Sequence, residues 1–255
     1  MILDAGSDRV DFTTTVDWWE EKTMLKVAFP VAVTADAATY EIPYGTIERS
    51  TRMDDDWQKA KVEVPAQRWA DLSQDAFGVS LLNTSKYGYD VKGNTMRLSL
   101  LRSPIWPDPT ADRGKHSIDY ALYPHSGRVR DAATVRRGYE MNNPLIAVLE
   151  TAHHGPLPRE RSFARLSPDS LVLTSIKKAE DSDAWVVQWY DAKGDAATAA
   201  LTLDRPPARA RATSFLEEDG AALPVDGAVV HVPTRAHAVT TVKVSFASAS
   251  AAARK

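Results

Sequence analysis

The 255-residue chain contains no cysteine. That excludes a disulfide framework, a thiol nucleophile and any metal site built on thiolates. It also lacks an excess of positive charge: 31 Lys and Arg stand against 34 Asp and Glu, a formal net charge of −3. No nucleic-acid partner is expected, because binding a phosphate backbone needs a basic face. No run of about 18 apolar residues occurs, so no membrane partner is expected either. The opening stretch MILDAGSDRVDFTTTVDWWEEK carries charge from Asp4 onward and has no apolar centre, unlike a signal peptide. It reads as a start in mid-strand pattern. Internal repeats and low-complexity tracts are missing, as are HExxH, GxSxG, P-loop and GxGxxG signatures.

What is present is ordinary globular composition, 44% hydrophobic and 25% charged, with enough length for one large domain or a large and a small one. Apolar residues alternate with polar ones at period two, the mark of half-buried strands. Leu25, Val27, Phe29, Val31 and Val33 form one such series. Met96, Leu98 and Leu100 form a second, Ile118, Tyr120 and Leu122 a third, Trp185, Val187 and Trp189 a fourth, and Val242, Val244 and Phe246 a fifth. Glycine turns separate them in KGN at Lys92, AKGD at Ala192, EDG at Glu218 and VDG at Val225. Short strands with frequent turns predict packed sandwiches of antiparallel sheet. RVRDAATVRRGY, Arg128 to Tyr139, predicts one short helix ending near Gly138. DRPPARAR from Asp204 and HHGPLP from His153 read as loops. The expected domains are a large sandwich over 1–168, a smaller terminal sandwich over 169–249 and a tail over 250–255.

Residues that could carry chemistry are few. The six histidines make no metal motif, and the adjacent pair His153-His154 reads as polar loop. Asp54-Asp55-Asp56 invites comparison with paired catalytic carboxylates. Three consecutive aspartates repel one another and are read as a solvated loop. The seven tryptophans could form sugar-stacking platforms, but most are expected to pack; Trp106, in SPIWPDP, has no strand period and is the one expected to be exposed, with packing weighed above ligand contact. Glu48 and Arg49 in GTIERST are expected to pair with each other.

Leu81 to Gly127, LLNTSKYGYDVKGNTMRLSLLRSPIWPDPTADRGKHSIDYALYPHSG, closely resembles the C-terminal β-region of glycoside hydrolase family 38, the α-mannosidases. So do VDWWEEKTMLKVAFPVAV from Val16, YEIPYGTIERSTR from Tyr40 and AHAVTTVKVSF from Ala236, in the same order. KYGYD, PDPxAD and YxLxPHxG are similar to the bacterial, fungal and cytosolic branch. The resemblance implies a mostly-β fold, a large antiparallel supersandwich of galactose-mutarotase-like type followed by a smaller sandwich. It implies as partners an N-terminal catalytic barrel and helix bundle of the same polypeptide, with mannose-containing oligosaccharides as substrate. The nucleophilic aspartate and the zinc ligands of such enzymes, which retain anomeric configuration, lie in the barrel. Neither has a counterpart here, so no catalytic residue, metal ligand or cofactor is assigned to these 255 residues.

The same resemblance singles out Asn83, Lys86, Tyr87 and Gly88. A loop of the β-region reaches the active-site rim in this family, and these residues occupy the comparable position. Lys86 would bring positive charge to sugar hydroxyls, Asn83 and Tyr87 would donate hydrogen bonds, and Gly88 would permit a tight turn. A second reading has Lys86 and Tyr89 sealing a domain interface. Branch and zero cysteines imply a cytoplasmic protein. An apolar docking face would let the isolated chain form a homo-oligomer. Two other functions stay open: a free-standing carbohydrate-binding module without hydrolase activity, and a complete glycosidase or epimerase on a supersandwich.

Overall fold

A computed structural model describes residues 1–247; the tail expected over 250–255 lies outside the described residues. Contacts divide the chain into two compact units, Met1–Val148 and Leu149–Lys255.

The first unit contains β1 (Val10–Trp18), β2 (Leu25–Pro30), β3 (Ala37–Ile42), β4 (Gly45–Ser50), β5 (Val64–Pro65), β6 (Trp69–Ser73), β7 (Phe77–Asn83), β8 (Gly88–Lys92), β9 (Thr95–Leu101) and β10 (Gly114–Ser126). Two short helices, α1 (Asp56–Ala60) and α2 (Thr134–Asn142), join them, where the sequence predicted one. The strands form a six-stranded sheet in the order β1-β10-β7-β6-β3-β4 and a four-stranded sheet β2-β9-β8-β5. Period two explains the sandwich. Met96, Leu98 and Leu100 of β9 are buried while Thr95, Arg97 and Ser99 are only half-buried. With Leu72, Leu81 and Tyr89 they fill the core between the two sheets.

The other face of the six-stranded sheet is covered by α2. Trp69, Leu82, Ala121 and Tyr123 meet Val129, Ala132, Val135 and Met141 there. The helix starts later than Arg128, because residues 128–133 close into turns and the Val129 amide bonds Ser73 Oγ. It also runs past Gly138. That glycine sits inside the helix, where a Cβ would lie 2.9 Å from Trp69 Cδ1. Its absent side chain lets helix and sheet approach closely; it does not end the helix. The Asp54–Asp56 run is only partly loop: Asp55 Oδ1 accepts from the Gln58 amide at 2.7 Å and caps α1.

The second unit contains β11 (Ala164–Ser167), β12 (Leu171–Lys178), β13 (Trp185–Asp191), β14 (Ala197–Leu203), β15 (Arg209–Thr213), β16 (Asp219–Ala222), β17 (Val225–Asp226), β18 (Val229–Thr234) and β19 (Val239–Ser245). They form sheets β11-β14-β18-β17 and β12-β13-β19-β15-β16 around Val187, Trp189, Leu201, Val230 and Val242. β11 pairs with β14 although it precedes the boundary drawn from sequence at 168/169. β15 begins inside the stretch read as loop from Asp204. Of the four turn glycines, Gly93, Gly194 and Gly227 adopt positive φ; Gly220 instead lies within β16.

Candidate functional site

The site is built around the turn 84–87 between β7 and β8. Asn83 closes β7 and is fully buried. Its amide nitrogen Nδ2 donates to Gln67 O at 2.9 Å and to the Tyr89 hydroxyl, and its Oδ1 accepts from the Lys86 amide at 2.6 Å. Its backbone carbonyl accepts from Asn142 Nδ2 at 3.0 Å, tying the turn to α2. Direct hydrogen bonding from Asn83 to a sugar is thereby corrected: its side chain is enclosed and engaged, and it positions the turn. Burial pushes the Tyr89 hydroxyl far above the ordinary phenol range, so it stays a neutral partner.

Gly88 is likewise not the tight-turn residue expected. It opens β8, and a Cβ would meet Glu63 Oε1 and Ser99 Cβ, both at 3.2 Å. Close strand packing, not a left-handed backbone, calls for glycine there.

Tyr87 is 59% exposed and lines a cleft of about 660 Å³ together with Arg49, Gln67, Arg68, Asn142 and Asn143. One wall is an ion pair. Arg68 Nη2 donates to Glu41 Oε1 at 2.6 Å, and the Arg68 amide donates to Glu41 Oε2 at 2.7 Å. The guanidinium carbon also sits 3.7 Å from the Tyr139 ring centroid. Burial alone would lower the Arg68 pKa; its bonds to the buried Glu41 outweigh that and raise it. Glu41 and Arg68 went unnoticed in the sequence because they lie 27 residues apart and no motif joins them. Asn142 was legible only as part of a helix-ending Asn-Asn-Pro. The expected Glu48–Arg49 pair does not form: as consecutive residues of β4 they project to opposite faces. Arg49 instead lies 4.7 Å from the Tyr40 ring centroid, and burial lowers its pKa.

Lys86 does not line the cleft. It lies near Asp112, whose carboxyl is held below the ordinary range chiefly by the Arg102 and Ser103 amides, with Lys86 adding to the effect. His116 Nε2 contacts Asp112 O at 2.8 Å. His153 and His154 are exposed. Among the described residues no group of three or more His, Asp or Glu is placed to hold a metal ion. The donor set for a zinc ion is therefore not offered by these residues. No described helix is long and apolar enough to cross a membrane. Trp106 stands in solvent, and so do Trp19 and Trp57, while Trp69 and Trp189 are core.

Fold and cleft define a mostly-β, two-sandwich module that displays a cleft of mixed lining, Ile42, Pro43, Pro65 and Ala66 beside the polar groups, edged by one tyrosine. Residues 1–110 match the glycosyl hydrolases family 38 C-terminal domain, and residues 170–247 match the glycosyl hydrolases family 38 C-terminal beta sandwich domain. The chain is 41% identical over 220 residues to alpha-mannosidase 2C1 of Homo sapiens, covering 85% of this chain and 21% of that protein. It is 39% identical over 208 residues to alpha-mannosidase G of Dictyostelium discoideum (79% and 19%) and 40% over 190 residues to an alpha-mannosidase of Saccharomyces cerevisiae (72% and 17%). The crystal structure of an alpha-mannosidase from Enterococcus faecalis V583 superposes with a TM-score of 0.79 at 21% identity, over 94% of this chain and 28% of that one. The chain belongs to glycosyl hydrolase family 38, of which it carries the C-terminal domains, and it spans about a fifth of the length of these curated relatives.

Proposed function

We propose that this chain is an accessory part of an α-mannosidase: it supports a catalytic barrel and helix bundle and lends one edge to the mannoside-binding site. The observation that carries this reading is the turn 84–87. A buried asparagine fixes it, and it holds one exposed tyrosine at a cleft that offers both polar groups and apolar surface, as a sugar ring requires. Preorganised donors of this kind bind hydroxyls without paying to order themselves first. Tyr87 donates through its hydroxyl. Lys86, on the same fixed turn, supplies an ammonium group. The catalytic aspartate and zinc belong to the part of the enzyme that this chain does not resemble.

Leu145, Ile146 and Leu149 are 99%, 92% and 99% exposed. An apolar run left so open supports docking to further protein, and in isolation it favours self-association. Relatives and the lack of cysteine support a cytoplasmic setting.

The test is a chimera in which these 255 residues replace the matching region of human alpha-mannosidase 2C1. Activity on an aryl α-mannoside is expected in the chimera and not in this chain alone. Lys86→Ala or Tyr87→Phe in the chimera is then expected to raise KM several-fold. Turnover by the chain alone would sink the accessory reading. Tight mannoside binding by the chain, with no activity in the chimera, would favour a free-standing binding module.

A further inference from the structure

The loop 102–113 is built more rigidly than its exposure requires. Ser103 is its hub. It is 2% exposed, and its backbone lies in the left-handed region at φ 52° although it is not glycine. Its amide and that of Arg102 both donate to Asp112 Oδ2 at 2.9 Å, closing the loop at its far end. Its hydroxyl accepts from Trp18 Nε1 at 2.5 Å, and its carbonyl accepts from the Lys22 amide at 2.8 Å. Asp112 and Lys22 also adopt positive φ, at 62° and 51°. Such conformations cost about 1–3 kcal/mol each and persist only where the surroundings impose them. Within the loop, Asp108 Oδ1 accepts from the Thr110 amide and hydroxyl at 2.8 Å. What this framework holds up is Trp106, 82% exposed.

We propose that Trp106 is a stacking platform for a hexose ring of the substrate, displayed by the Ser103–Asp112 clasp on the same edge of the sandwich as the turn 84–87. The strands set that edge: β7 ends at Asn83 opposite Tyr120 of β10, the Thr84 amide donates to Asp119 O at 3.3 Å, and β10 begins at Gly114, directly after the clasp. Trp19 is held on the adjoining segment, with its Nε1 donating to Asp17 Oδ1 at 2.7 Å and its ring 67% exposed. An indole face takes the apolar C–H face of a pyranose, and the polar Asp108 and Thr110 of the same loop suit its ring hydroxyls. The composition fits a sugar better than a protein partner: Trp106 has one part-exposed aliphatic neighbour in sequence, Ile105 at 39%, and is followed by Pro107, Asp108 and Pro109, fewer aliphatics than a protein interface core needs. The choice of a mannoside rests on the function proposed above; the platform itself rests on the clasp.

The experiment is a titration of the isotopically labelled chain with a mannotriose, following the indole N–H signals by NMR and the affinity by calorimetry. The Trp106 signal is expected to move and saturate. Trp106→Ala is expected to weaken binding about tenfold, Trp106→Phe to retain most of it, and Trp57→Ala, at the separate exposed tryptophan of α1, to leave it unchanged. Binding that survives Trp106→Ala but falls with Lys86→Ala overturns the platform and keeps the rim. Binding unaffected by either variant overturns both. No response of Trp106 up to about 10 mM sugar overturns the platform, and the chimera then judges the rim by itself.

Discussion

At the scale of single residues, polar groups inside the first unit are placed where losing one partner is costly. Glu41 is 2% exposed and its carboxylate is met by the Arg68 side chain and backbone. Arg68→Met would leave that carboxylate buried without its counter-charge, a loss of about 3–5 kcal/mol. Adding Glu41→Leu should recover a large part of it. Urea unfolding of the single and double variants checks this, and equal stability of both would contradict it. Asn83→Ala removes two donated bonds and the acceptor for Lys86 in one step. A loss of about 2–3 kcal/mol is expected, together with a disordered turn visible as lost protection of the Lys86 amide in hydrogen exchange.

His125 allows a pH argument. Its Nε2 lies 2.8 Å from Asp71 Oδ2, which also accepts from Ser80 Oγ at 2.6 Å; Ser80 in turn bonds Thr134 at the start of α2 at 2.8 Å. Burial alone would lower the histidine pKa, but the Asp71 carboxylate and the backbone of Ser126 and Gly127 raise it above 6.5. A raised folded-state value means the protonated imidazole stabilises the fold. That stabilisation is complete below the ordinary value of 6.5 and is lost as pH rises through the raised one. Unfolding free energy should therefore decline as pH rises above 6.5 in the parent and stay flatter in His125→Gln, whose amide can still donate to Asp71. Parallel pH profiles for the two proteins would refute this.

At the scale of elements, α2 depends on one missing side chain. In an exposed helix Gly→Ala gains about 1 kcal/mol. At Gly138 the new methyl would lie 2.9 Å from Trp69 Cδ1, and overpacking of this kind costs about 1–3 kcal/mol. Net destabilisation is expected for Gly138→Ala, with a red shift of the tryptophan emission as the lifting helix lets water reach the buried Trp69. Because Asn142 of this helix bonds Asn83, the same change should loosen the turn that carries Tyr87. A stabilised variant with unchanged emission would show that the contact is not tight.

At the scale of the whole molecule, each unit has its own core, one around Leu72, Leu81 and Met96, the other around Val187, Trp189 and Val242. A separately produced chain of residues 149–247 is expected to fold, giving dispersed amide signals and a cooperative thermal transition. Its failure to fold would mean that the second core is not self-sufficient. The exposed Leu145, Ile146 and Leu149 predict concentration-dependent association by sedimentation, reduced when all three are changed to serine.

Sequence alone determined the fold class, because burial on one face of a strand writes itself as period-two alternation; Met96, Leu98 and Leu100 are buried as their spacing requires. It also determined the family, through motifs long enough to stand in order along the chain. It pointed to the turn after Asn83 but misassigned what Asn83 and Gly88 do there, since composition cannot tell an enclosed amide from an open one. Only the tertiary structure decided that Arg68, Glu41 and Asn142 share a cleft with Tyr87, and that Ser103 and Asp112 clasp the Trp106 loop. The cleft joins strands and a helix distant in the chain, brought together by the sheet order β1-β10-β7-β6-β3-β4 that no local pattern encodes, while the clasp is a fold of one loop whose side-chain bonds composition alone cannot show.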